Sequence, residues 1–157
     1  FYSKIRQHWL CLIIIVLLVL PGVISLVNLH PYQYIYYNSL IGGVEGAFRR
    51  FELDYWYTSY SELTSWVNEN AEEDATVVAR VAHILILHQI RSDLSVKKIG
   101  SSKFDIHEEY DYAILTTRWN SDKYYSDAEI ISVVELDGAI LGVLKNIKGQ
   151  EYEEPVP

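Results

Sequence analysis

The hydrophobic positions fall into two regimes along the chain. From Trp9 to Val27 nineteen residues pass without a charge. At about 1.5 Å per residue they make a helix of about 28 Å, close to a hydrocarbon core of about 30 Å. No polar face interrupts the run, which excludes an amphipathic surface helix. The pattern predicts a membrane-spanning helix within residues 1–28. A cleaved signal peptide is the rival, but bulky Ile24, Leu26, Val27 and Leu29 stand where small residues are needed for cleavage. Pro21 and Gly22 interrupt the run, as membrane helices tolerate when neighbouring helices support the backbone, so other transmembrane helices are expected as partners.

After Asn28 the pattern shortens. Residues 29–58 carry Tyr32, Tyr34, Tyr36, Tyr37, Tyr55, Trp56 and Tyr57, and Tyr60 follows closely. Such rings favour the headgroup level, which predicts an aromatic junction at the membrane surface with lipid as a partner. Residues 59–148 read as an α/β domain. Ser59 and Glu62 have capping-box spacing, and Leu63, Trp66 and Val67 follow at helical period. Residues 75–82 are rich in β-branched side chains and read as a buried strand. Residues 84–90 fit helix or strand by pattern, and the need for a crossover favours helix. Residues 95–99 and 112–117 predict two more strands. Residues 129–136 and 139–144 flank Asp137-Gly138, a strong signal for a β-hairpin. The expected fold is α/β: one N-terminal transmembrane helix, then a small domain with a mixed sheet ending in a hairpin. Residues 149–157 are acidic, contain proline and predict a disordered tail.

Charge sets the orientation. Lys4 and Arg6 precede the apolar run, and no Lys or Arg follows it until Arg49. The positive-inside rule then places the N-terminus in the cytoplasm and the domain outside, in the cell membrane. Without Lys4 and Arg6, 11 basic residues face 21 acidic ones. That balance lacks the basic footprint of a nucleic-acid binder. The single cysteine, Cys11, lies within the apolar run, which excludes a disulfide framework and a cysteine-based zinc site. The chain has no Met and starts at Phe1, and a piece of a longer protein is expected.

Candidate chemistry is sparse. No H-E-x-x-H, G-x-S-x-G or dinucleotide fingerprint occurs. His107-Glu108-Glu109 reads as a solvated polar loop. Glu52 and Asp54 are two apart, and in an extended segment they point the same way, with Phe51, Leu53 and Tyr55 on the other side. Such a pair either divides acid and base roles or bonds backbone amides and the adjacent arginines. Arg49 and Arg50 either hold a phosphate or pair with Glu52, Asp54 or lipid headgroups.

The stretch His30-Pro31-Tyr32-Gln33, Tyr37-Asn38, Gly42-Gly43, Gly46-Ala47, Phe51-Glu52, Asp54-Tyr55-Trp56, Ser59-Tyr60 and Trp66 resembles the C-terminal region of multi-pass prokaryotic glycosyltransferases. These are the family 39-like enzymes of GT-C architecture, related to dolichyl-phosphate-mannose protein mannosyltransferases. The likeness is strong over residues 29–68 and looser beyond, where Thr116 to Asn120 and Asp137-Gly138 carry it. It implies transfer of a sugar from a polyprenyl-phosphate carrier to an acceptor outside the cytoplasm. The family's catalytic aspartate lies in the first exterior loop, which this chain lacks. The expectation is therefore a non-catalytic part, free of cofactor, that caps the active site or selects acceptor. The expected substrate-side residues are Tyr32, Tyr36, Asn38, Arg49, Glu52, Asp54 and Trp56. The alternative is a single-span membrane protein whose α/β module binds a ligand or a partner.

Overall fold

Pro21 does not break the apolar run: in the computed structural model, helix α1 continues through it from Tyr2 to Asn28. The structure describes residues 2–98 and 110–150, with side chains from Arg6 onward in the first stretch. The chain divides into two compact units, residues 1–43 and 44–157.

In the first unit, residues 6–28 are long and apolar enough to cross a membrane, with a mean hydropathy of 3.2. None of that stretch is buried, as expected of a helix whose apolar surface meets lipid rather than protein. Two 3-10 turns follow, Gln33–Ile35 and Ser39–Ile41. The Tyr36 hydroxyl lies 3.4 Å from where a Gly22 Cβ would stand, so the ring rests against the helix at its glycine.

The second unit holds α2 (Gly43–Ala47, with Gly43 at the boundary), α3 (Ser59–Asn70), β1 (Thr76–Ala79), α4 (His83–Leu87), β2 (Ser95–Lys98), β3 (Tyr112–Thr116), a 3-10 turn over Arg118–Lys123, β4 (Glu129–Leu136) and β5 (Ala139–Asn146). The strands form one mixed sheet in the order β2-β1-β3-β5-β4. β1 runs parallel to both β2 and β3, while β5 runs antiparallel to β3 and β4. β4 and β5 meet across Asp137 and Gly138, both with left-handed backbone, the conformation a tight two-residue connection demands.

Both faces of the sheet are covered, and β3 is buried throughout, the polar Thr116 included. On one face α3 places Leu63 and Val67, fully buried, over β3 and β5. Gly142 of β5 lets it come this close: a Cβ there would stand 2.6 Å from Ser59 Oγ and 3.1 Å from Leu63 Cδ1. On the other face Tyr124, Tyr125 and Ala128 close over Val78, Ala113, Leu115 and Val143.

Three expectations are adjusted. The compact unit starts at Val44, not at Ser59, because Val44, Ala47, Leu53 and Asp54 are all buried. The 29–58 junction is thereby divided between the two units. The Ser59–Glu62 capping box does not form; the cap position falls on Thr58, which makes no side-chain capping bond. Ile99, the His107-Glu108-Glu109 cluster and residues 151–157 of the expected tail lie outside the described residues.

Candidate functional site: an arginine and aromatic cleft

The second unit contains a cleft of about 230 Å³, lined by residues 48–53 on one side and Thr117 to Asn120 on the other. The first wall is the exit of α2. Arg49 there takes φ of +62°, the left-handed position after a helix that glycine usually fills. The second wall follows β3. Trp119 and Asn120 are both left-handed, at φ of +52° and +53°, and fold the chain back on itself. Tyr57, beside the cleft, is left-handed as well, at +57°. Each such residue costs about 1–3 kcal/mol, which the surrounding contacts must offset.

Two guanidinium groups supply those contacts. Arg49 donates from Nη1 to Asn120 Oδ1 at 3.1 Å and to Asp122 Oδ1 at 2.9 Å, and its Nη2 pairs with the second Asp122 oxygen. This bidentate fork ties the two walls together, and the hydrogen bond to Asp122 raises the Arg49 pKa. Arg118 donates from Nε to Glu52 at 3.0 Å and from Nη1 to the Tyr57 hydroxyl at 2.9 Å. Its guanidinium lies 4.3 Å from the centre of the Tyr55 ring, 5.4 Å from Tyr57 and 4.2 Å from Trp119, all within cation–π range. Trp119 remains 52% exposed despite this stack.

Arg50 also lines the cleft, and among the described residues its one side-chain hydrogen bond is long, 3.5 Å from Nη1 to Gly46 O. Behind the second wall, Lys145 is 3% exposed and donates to the carbonyls of Tyr124 and Tyr125 at 2.8 and 3.0 Å. Burial pushes its pKa down, and the charge of Asp122 opposes the shift.

The expected site residues separate. Arg49 and Glu52 line the cleft. Arg49 pairs with Asp122 and Glu52 with Arg118, not with each other. Asp54 is fully buried and accepts from the amides of Thr58 at 2.8 Å and Ser59 at 3.3 Å, and from the Ser59 hydroxyl. It caps α3 in place of the expected box. The side-by-side arrangement of Glu52 and Asp54 fails because the segment is not a regular strand: Leu53 and Asp54 both turn inward while Phe51, Glu52 and Tyr55 stay exposed. Trp56 is 66% exposed and stands edge-on to Tyr55. Tyr32, Tyr36 and Asn38 belong to the first unit and do not line the cleft. Tyr32 is buried, and Asn38 Oδ1 accepts from the Leu40 amide at 3.0 Å.

Arg118, Trp119, Asn120 and Asp122 were not among the expected site residues. Their signal is a polar and aromatic run directly after a buried strand, with an Asn suited to left-handed backbone. Chemically the cleft offers an open aromatic face, guanidinium and amide donors, and carboxylate acceptors within one small volume. Comparison of the chain with protein-family models, curated proteins and solved structures finds no match.

Proposed function

We propose that this chain is the C-terminal part of a membrane glycosyltransferase of the family 39-like, GT-C kind, and that its α/β unit supplies a sugar-binding cleft outside the cytoplasm. The observation that carries the reading is the Arg118 clamp. It fixes Tyr55, Tyr57 and Trp119 around one guanidinium and leaves the Trp119 ring half open. Sugars present C–H faces to aromatic rings and hydroxyls to paired donors and acceptors. Trp119 offers the first, and Asn120 and Glu52 the second. The apolar helix over residues 6–28 supports a membrane anchor, and Lys4 and Arg6 before it support a cytoplasmic N-terminus. In this reading a polyprenyl-phosphate-linked sugar is the donor, the catalytic aspartate belongs to a preceding exterior loop, and the cleft holds a saccharide for transfer.

The test is donor turnover by the full-length protein in nanodiscs, for wild type, Trp119→Ala and Arg118→Met. Loss of one stacking face is worth about 0.5–1.5 kcal/mol, so Trp119→Ala is expected to raise the acceptor KM by about threefold to tenfold. Arg118→Met, which releases the whole clamp, is expected to do more. Unchanged KM in both folded variants refutes a role for the cleft in transfer. The cleft forms entirely within the second unit, which favours a second reading as a membrane-anchored binding module. A folded protein that binds sugar but consumes no donor supports that one.

A further inference from the structure

The cleft gathers arginines in an acidic domain. Three of the 11 basic residues beyond the apolar helix line it: Arg49, Arg50 and Arg118. Against these three guanidinium groups stand two carboxylates, Asp122 on Arg49 and Glu52 on Arg118. Arg50 has no carboxylate partner among the described residues, and its bond to Gly46 O is at the outer limit of hydrogen-bond length. A guanidinium carries five donors in a planar fork, and Arg50 uses one of them weakly.

Resting on the sugar-cleft reading above, we infer that the cleft selects a saccharide bearing a single negative charge, a sugar carboxylate, with Arg50 as the residue that recognises it. The charge balance sets the number: one unmatched cation is neutralised by one anionic oxygen pair, whereas a doubly charged phosphate monoester leaves a negative charge uncompensated. Geometry agrees, because Arg50 and Trp119 line the same 230 Å³ volume, room for about one sugar ring. Arg49 and Arg118 are already bound into the walls, so their contribution is to hold shape rather than to take the anion.

The experiment uses the full chain in zwitterionic nanodiscs and compares methyl glucuronide, methyl glucoside and glucose 1-phosphate by calorimetric titration at low and high salt. A charge-assisted bond to an accessible anion predicts that the glucuronide binds about tenfold tighter than the glucoside at low salt, with the margin shrinking at high salt. Arg50→Gln is expected to abolish the margin between the two glycosides; the side chain is exposed, and circular dichroism checks the fold. Equal binding of the two glycosides by wild type overturns the inference, and so does a margin that survives Arg50→Gln. Glucose 1-phosphate binding more than tenfold tighter than the glucuronide overturns the charge matching. If none of the three sugars binds, the sugar-cleft reading falls and takes this inference with it.

Discussion

Asp54→Ala tests whether the buried carboxylate is a cap or a substrate group. Asp54 is fully enclosed and receives two amide protons and one hydroxyl proton from Thr58 and Ser59. Loss of an N-terminal helix cap costs about 0.5–2 kcal/mol. The Ser59 hydroxyl, itself fully buried, is left without its acceptor, which adds about 1–3 kcal/mol. The two together come to about 1.5–5 kcal/mol. For a unit of this size each kcal/mol moves the melting temperature by about 4 °C, so a fall of about 10 °C is expected. Near-ultraviolet circular dichroism reports this transition through Trp66, which packs edge-on to Tyr112 at 6.4 Å. Glu52→Ala is the control: its partly exposed pair with Arg118 is worth about 0.5 kcal/mol. Asp54→Asn keeps one acceptor oxygen and should fall between the two. If Asp54→Ala melts within 1 °C or so of Glu52→Ala, the capping account is wrong. If it melts normally yet loses sugar binding, Asp54 faces substrate after all.

Gly142→Ala should destabilise the second unit by about 1–3 kcal/mol, because the new methyl meets Ser59 and Leu63 and the Ser59 hydroxyl is held by Asp54. In an Asp54→Ala background Ser59 is free to rotate, and the cost of Gly142→Ala should shrink, read as non-additive melting. Lys145 gives a pH dependence. Its folded pKa lies below the ordinary lysine value of about 10.4. In the window between the two, the unfolded chain holds a proton that the folded one has released, so stability rises with pH there. Buried Tyr60 and half-buried Tyr57 have raised pKa values, and their contribution is lost as pH climbs beyond about 10. Denaturant titrations across this range should show a rise and then a fall, and Lys145→Met should remove the rise alone.

The elements were legible wherever period and turn chemistry agreed. The charge-free run of α1, the β-branched β1 and the Asp-Gly link between β4 and β5 each carry their own local signal. The entry to α3 was less legible because two capping solutions compete there. Ser59 and Glu62 have the spacing of a box, yet a carboxylate five residues before Ser59 reaches the same amides. It prevails because Ser59 is packed beneath Gly142 and donates to Asp54 instead of capping the helix itself. Spacing within six residues does not register a neighbour supplied by β5, more than eighty positions away in the chain.

The cleft was half legible for the same reason. Arg49 and Glu52 could be singled out as charged groups in an aromatic stretch, and their nearest opposite charges in sequence are Glu52 for Arg49 and Arg50 for Glu52. The structure gives them partners 73 and 66 residues distant, Asp122 and Arg118. Those pairings follow from the left-handed turn at Trp119 and Asn120, which points the segment after β3 back toward the exit of α2. Two adjacent non-glycine residues in that conformation are improbable from local preference alone. They hold here because Arg118 stacks within three aromatic rings and Arg49 binds Asn120 and Asp122. Strain and clamp therefore depend on one another, and removing either guanidinium should relax the turn that shapes the site. Arg50, between them in function though adjacent to Arg49 in sequence, is the one cation of the three left to meet a ligand.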